Sequence, residues 1–400
     1  ILRGGFDENK HGYINPCQDV YDDKIPSDDG GKRSDYKPMP FYPTNPSDNS
    51  AHLCNIELND HNGIAKAFTE EGEVIEDNSI VEFKYDGTRS GNWKWVPIRV
   101  RHDKTNELRS GFKNYGNAYH VANSNWHTIH NPITPEMVSG LKDIPDELSD
   151  DDIYYASLST NSLTKSMRDF HNLFVKKLLI SSVSKKGNTL IDYAVGKGGD
   201  FPKWIESGLS FVFGIDISKD NIENRLNGAC ARYLNYKKQF KSMPSALFVS
   251  GNSSLNIRNG AALSNEKSKQ ISKAVFGQGP KDEGMLGKGV YMAYGKGREG
   301  FNISSCQFAL HYFFETNQTL QSFLENVSEC TKRNGYFIGT AYDGKTLFNM
   351  LKPLKKGQSK SLYLNDTKIW EITKEYENEE FNNDMTSIGY GINVYQETIG

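Results

Sequence analysis

One stretch limits the fold more than any other: "LIDYAVGKGGDFPKWI", Leu190 to Ile205. It reads as a strand running to Val195, a turn through Gly196, Gly198 and Gly199, and then a helix. A second strand, "LSFVFGIDIS", follows and ends on Asp216. The pattern continues on both sides. A helix ("SLTKSMRDFHNLFVKKLLISSV") comes before it. After it come the strand "SALFVS", the helices "ISSCQFALHYFFE" and "TLQSFLENVSECTK", and the strand "GYFIGTAYD". Strands alternating with helices demand crossover connections, so the chain from about Ser162 is expected to be α/β with a doubly wound parallel sheet. The glycine-rich stretch "FGQGPKDEGMLGKGVYMAYGKGREG" reads as a surface insertion.

Glycines at the carboxyl end of a first strand let the backbone approach a ligand. No Gly-Lys-Ser/Thr follows, so the loop is no Walker loop. Asp216 is placed to accept both ribose hydroxyls of an adenosine, or to cap a helix with Ser218. Nucleotide, NAD and S-adenosylmethionine all stay open on these residues.

The first part of the chain differs. Residues 1–50 are rich in Asp, Asn, Gly and Pro and read as loops. From Asn55 to about Arg101, short strand-like runs alternate with turn signals, as in a small β-barrel or sandwich. "VEFKYDG" holds Lys84 in a Lys-x-Asp-Gly pattern, the setting of a nucleotide-accepting lysine. "WVPIRVRHDKT" then supplies Arg101, Asp103 and Lys104, a later motif of such enzymes, only 17 positions after Lys84. A nucleotide-binding domain does not fit in that interval, so Lys84 reads as a strand-end lysine before an Asp-Gly turn. The net charge of −3 advertises no global attraction for nucleic acid, so a polyanion would need a local basic patch. Five scattered cysteines without a C-x-x-C argue against a zinc site or a disulfide framework. No transmembrane helix is read, and both ends of the chain read as cut.

"LIDYAVGKGGDFPKW", "FGIDISKDNIENRLNGACARYLNY" and "SSCQFALHYFFE", in that order, resemble the cap guanine-N7 methyltransferase family, nearest to the fused capping enzymes of giant DNA viruses. The resemblance implies a Rossmann-like S-adenosylmethionine-dependent methyltransferase domain at 161–400. It also implies a 106–160 connector and, at 1–105, the OB-fold end of an mRNA guanylyltransferase. Ala194 departs from the pattern, standing where many relatives carry the first loop glycine.

Carried over residue by residue, the resemblance assigns the cofactor to Lys176, Gly196, Gly198, Asp216, Asn252, Ser253 and Gln307. Lys176 would meet the methionine carboxylate, and Asn252 and Ser253 the adenine. The cap guanosine falls to Asn172, Phe308, His311 and Tyr312. Asn172 and Lys176 are expected on one face of a helix whose Leu173, Val175 and Leu179 pack inward. Gln307, Phe308, His311 and Tyr312 are expected to share one side of another. Arg101, Asp103 and Lys104 would meet GTP phosphates, with Mg, in the complete guanylyltransferase.

A glutamate reading the guanine edge is expected beyond Gly400, and Glu397 does not match it, so the chain is expected to recognise the cap poorly. The implied partners are capped or 5′-diphosphate mRNA and a small regulatory subunit, with no membrane and no DNA. The implied location is the virion or a viral factory in the host cytoplasm. Two other readings remain: a methyltransferase on another substrate, and a non-catalytic module binding RNA 5′ ends.

Overall fold

The computed structural model describes residues 1–25, 36–43, 46, 48, 50–61, 63–113, 115–139 and 163–397. Residues 140–160 of the expected connector lie outside the described residues. The chain divides into two units, Ile1–Ile14 with Ser27–Leu148, and Asn15–Pro26 with Ser149–Gly400.

The first unit pairs its strands as neighbours. β1 (Arg3–Phe6) pairs with β2 (Lys37–Pro40), β3 (Leu58–His61) with β4 (Ile64–Ala67), and β5 (Val81–Tyr85) with β6 (Trp95–Val100), each antiparallel. Among the described residues these are three separate two-stranded sheets, without a closed barrel. Loops were expected over 1–50, yet β1 and β2 fall there. The connector also contributes structure. Its stretch Tyr119–His130 is a helix, and Trp126 from it is buried among Phe41, Tyr85 and Trp95. The indole Nε1 of Trp126 donates to the Pro46 carbonyl at 2.9 Å, which satisfies its polar edge.

The second unit is built on five parallel strands. They are β7 (Thr189–Asp192), β8 (Phe211–Asp216), β9 (Ser245–Ser250), β10 (Phe301–Gln307) and β11 (Thr331–Thr340), in the order β11-β10-β7-β8-β9. Every residue of β8 is buried, as expected of a parallel strand covered on both faces. The order reverses between β7 and β10. That is the switch point of a doubly wound sheet, where a crevice opens at the carboxyl ends. A separate antiparallel sheet follows, β12 (Ser359–Leu364), β13 (Thr367–Lys374) and β14 (Ile392–Gln396), with its own core of Phe348, Leu351, Ile372 and Tyr376.

Two expectations fail here. The stretch Phe276–Gly300 is no surface insertion: Leu286, Val290 and Ala293 are buried. It packs on the helix Pro16–Tyr21, so closely that a Cβ on Gly289 would lie 2.6 Å from the Val20 carbonyl oxygen. Tyr21 is in turn anchored by its hydroxyl, which donates to the Phe248 carbonyl at 2.7 Å. In "SSCQFALHYFFE" the expected helix is the end of β10, followed by a short 3₁₀ turn at Leu310–Phe314. β10 buries Ser304 and Ser305 in mid-strand, so it lacks the apolar run that announces a central strand.

Candidate functional site

The carboxyl ends of β7, β8 and β10 carry the chemistry. β7 ends on Asp192, three residues short of the expected Val195. The loop then turns through Gly196 and Gly198 with φ of 54° and 72°, in the left-handed region that glycine tolerates. Its conformation is tied to β8. The Gly196 amide donates to Asp216 Oδ2 at 2.7 Å, while Asp216 Oδ1 accepts from the Ser218 amide and Asn221 Nδ2, both at 3.0 Å. A carboxylate has about four lone-pair sites, so Asp216 retains acceptor capacity for a ligand hydroxyl. Ser218 caps the next helix through its own hydroxyl, so Asp216 and Ser218 divide the two roles the sequence left open.

Three carboxylates are buried in this crevice: Asp192, Asp200 and Asp216. Two lysines answer them. Lys203 lies 2.8 Å and Lys176 3.5 Å from Asp200 Oδ1. Burial pushes Asp200 up, but Lys176 and Lys203 together outweigh it and hold the carboxyl below its ordinary range. Asp192 goes the other way. Burial, then the charge of Asp200, raise it to about 7, against a smaller pull from the Ala194 amide and Lys176. With Asp192 pressed toward neutrality, the two other acids are matched in number by the two lysines. Asp192 and Lys203 were not singled out from sequence. The signal was present, in an aspartate closing a strand and a lysine three residues after Asp200.

Lys176 joins this crevice to an aromatic patch. Its ammonium stands 5.5 Å from the Phe308 ring centroid, and the His171 ring lies 4.9 Å from the same ring. Asn172 and Lys176 lie on a wider turn than the regular helix expected for them. Phe170–Val175 is a π turn in which the Lys176 amide bonds the His171 carbonyl. Asn172 is half-buried within that turn. Leu173 is 68% exposed rather than packed inward, while Val175 and Leu179 are half-buried.

Phe308 has φ of 57°, unusual for a bulky residue, and is held by its amide bonding both the backbone carbonyl and the hydroxyl of Thr340. Gln307, at the last position of β10, is held by Ser305 and Thr340. His311 packs against Tyr312 and Tyr342, with ring centroids at 4.4 and 5.2 Å. Its Nδ1 is buried without a hydrogen-bond partner among the described residues, and burial lowers its pKa, so the ring stays neutral at neutral pH. Tyr312 is exposed.

After β9, Asn252 Oδ1 accepts from the Ser254 amide at 2.8 Å, a turn-forming bond. The Ser253 hydroxyl donates to the Tyr193 carbonyl at 2.8 Å and braces the loop. Arg101, Asp103 and Lys104 belong to the first unit. Arg101 follows β6 as the N-cap of the helix His102–Arg109, and Asp103 and Lys104 lie in that helix's first turn. Asp103 orients Arg101 at 3.3 Å, and Glu82 pairs with Arg99 and Arg101. Lys84 is an exposed strand lysine paired with Glu70 at 2.8 Å.

Residues 155–396 match the family model described as mRNA (guanine-N(7))-methyltransferase domain. The chain belongs to that family. Its five-stranded sheet is accordingly the central parallel sheet of a Rossmann-like methyltransferase. The chain is 29% identical over 362 residues to the "Probable mRNA-capping enzyme" of Acanthamoeba polyphaga mimivirus, covering 84% of this chain and 29% of that one. It is 27% identical over 214 residues to the mRNA cap guanine-N(7) methyltransferase 1 of Arabidopsis thaliana, covering 52% and 47%. The chain thus spans under half the length of each of these two relatives. Among solved structures, an S-adenosylmethionine-dependent methyltransferase from Clostridium acetobutylicum shares 11% identity and a TM-score of 0.31, over 53% of this chain and 63% of that one. Overlap that slight adds nothing to the strand order already described.

The crevice fits S-adenosylmethionine on its own donor set. Lys176 suits a carboxylate, Asp216 a ribose hydroxyl and Asn252 an amino group.

Proposed function

We propose that this chain transfers the methyl group of S-adenosylmethionine to N7 of the guanosine cap of mRNA. The observation that carries the reading is the double contact of Lys176, with Asp200 in the cofactor crevice and with Phe308 in the aromatic patch. It links the buried carboxylates at the strand ends to an aromatic ring.

When bound, S-adenosylmethionine supplies a methyl group on a positively charged sulfur, an electrophile for a nitrogen lone pair. The chain's residues orient the two partners. Lys176 meets the methionine carboxylate and Asp216 the ribose. Phe308 and His171 flank the guanine, with neutral His311 and Tyr312 beside it. Guanine N7 carries a free lone pair at neutral pH, so no residue needs to remove a proton. The rate gain comes from alignment and from the fixed field of the crevice. A carboxylate pressed against the sulfur would stabilise the ground state, which favours a protonated Asp192 in the working site.

The first unit is read as the end of a guanylyltransferase OB domain, with Arg101, Asp103 and Lys104 at the GTP phosphates. That part rests on the resemblance alone, as do the small regulatory subunit and the location in a virion or viral factory.

The test is calorimetric titration with S-adenosylhomocysteine on wild type and Asp216→Ala, then with a GpppA cap analogue on the saturated protein. A methyl-transfer assay on GpppA-RNA completes it. Cofactor binding lost in the variant and N7 methylation in the wild type support the proposal. Cofactor binding with methyl transfer only to another acceptor would replace the substrate. No cofactor binding by a protein with a folded circular-dichroism spectrum would reject the reading.

A further inference from the structure

At the other edge of the central sheet lies a recess of about 440 Å³ lined by Lys281, Lys296, Arg298 and Lys332. Its walls come mostly from the segment Phe276–Gly300, which reaches the amino ends of the strands. Lys296 donates to Ser245, the first residue of β9, at 3.0 Å, and its ammonium stands 4.9 Å from the Phe211 ring, which opens β8. Lys332 sits where β11 leaves its register with β10. Between the pairs Phe301↔Thr331 and Ile303↔Tyr336, β11 carries three more residues than β10. Such a bulge re-aims the side chains at a sheet edge. The recess and the methyl-transfer crevice are therefore separated by the length of the strands, about 20 Å at 3.3 Å per residue.

Four cations converge here against one lining carboxylate, Glu299. Among the described residues none of the four forms an ion pair within 4.0 Å, whereas Lys176, Lys197, Lys203 and Lys368 each have a carboxylate. Burial, then the charge of Lys237, press the Lys296 ammonium below its ordinary value, as in a local excess of positive charge. Tyrosine faces are interleaved with these cations: Lys281 stands 4.9 Å from the Tyr291 ring and 5.7 Å from that of Tyr294. Cations with aromatic faces suit a single-stranded nucleic acid, whose phosphates and bases each find a partner.

We propose that this recess binds the phosphodiester backbone of single-stranded RNA, at a site separate from the methyl-transfer crevice. In a chain of net charge −3, it is a local basic patch able to hold a polyanion. The inference goes beyond the proposed methyl transfer and stands without it, because uncapped RNA is its ligand.

The experiment measures fluorescence anisotropy of an uncapped 20-nucleotide RNA on the 400-residue chain across a salt series. Wild type is compared with Arg298→Glu/Lys332→Glu, and with Lys281→Glu as an independent exposed variant. Single strands give a slope of roughly −0.7 in log K against log salt per phosphate neutralised. The double variant is expected to bind about tenfold more weakly at low salt, with a slope shallower by about 1. S-adenosylhomocysteine affinity should be unchanged, which reports an intact fold. RNA affinity and slope equal to wild type in both variants would overturn the proposal. Displacement of the RNA by inorganic tripolyphosphate at equal molarity would reassign the recess to free polyphosphate. Displacement by polyglutamate at equal charge would reassign it to an acidic protein.

Discussion

The backbone amide of Lys176 donates to the carbonyl of His171, five residues earlier. A regular helix would have bonded Lys176 to Asn172. The wider turn brings His171 and Lys176 onto the same ring, Phe308, at 4.9 and 5.5 Å. π turns recur at functional sites because they re-aim a side chain without ending the helix.

Removing that ring separates the two halves of the site. Phe308→Ala is expected to weaken GpppA binding about 10- to 100-fold, from the roughly 1–3 kcal/mol of a lost stacking face. S-adenosylhomocysteine affinity should fall by no more than about fivefold, the scale of one cation–π contact. Titration of each ligand decides it, and equal losses for both would mean that the ring only shapes the loop.

Asp216 anchors the glycine loop and, in the proposed function, the ribose. Asp216→Ala should weaken S-adenosylhomocysteine by about 10- to 100-fold or more, since a hydrogen bond to a charged group contributes about 1.5–3 kcal/mol. Asp216→Asn keeps one acceptor oxygen and should lose less. An alanine variant that binds as tightly as wild type would remove Asp216 from the site.

Asp192 makes stability depend on pH with an unusual sign. Its folded pKa, about 7, is above the ordinary 3.8, so the folded state holds the proton more tightly. The stabilisation is complete below about pH 4 and is lost as pH rises toward 7, by up to roughly 1.36 kcal/mol per pH unit. Asp200, held low by Lys176 and Lys203, works oppositely at more acid pH. Denaturant melts of wild type and Asp192→Asn between pH 4.5 and 7.5 should show the difference closing as pH falls. A constant difference would contradict the assignment.

Gly198 cannot accept a side chain. Its φ is 72°, and a Cβ would fall 2.2 Å from the Phe201 ring, which is fully buried. Gly198→Ala should lower stability by more than the roughly 1–2 kcal/mol of the left-handed backbone alone. A melting temperature within 1 °C of wild type, roughly the shift of 0.5 kcal/mol, would refute this.

Lys84 is expected to be dispensable. Its ion pair with Glu70 is exposed on both sides, so Lys84→Ala should change stability by less than about 1 kcal/mol. No covalent guanylate should form on Lys84 with GTP and Mg, by mass spectrometry of the tryptic peptide. A Lys84 adduct would reverse the reading of the Lys-x-Asp-Gly pattern.

The strands legible in sequence were those whose burial on both faces leaves an unbroken apolar run, as in "FVFGID" of β8 and "SALFVS" of β9. β10 escaped because Ser304 and Ser305 are buried in its middle and the aromatics after it mimic a helical repeat. His171 escaped because a four-residue spacing rule cannot see a five-residue turn. Phe276–Gly300 escaped because its glycines read as turns. Gly289 is small for another reason, the close approach of the backbone around Val20.

By itself the sequence determined the alternating α/β order, the glycine loop and the acid that closes β8. These are local: apolar runs, turn residues and caps act within a few positions of one another. Only the tertiary structure decided that Lys176 faces both Asp200 and Phe308, that Asp192 is pressed toward neutrality, and that four cations meet at the far edge of the sheet. Each depends on burial and on charges brought together from distant positions, and neither exists until the chain has folded.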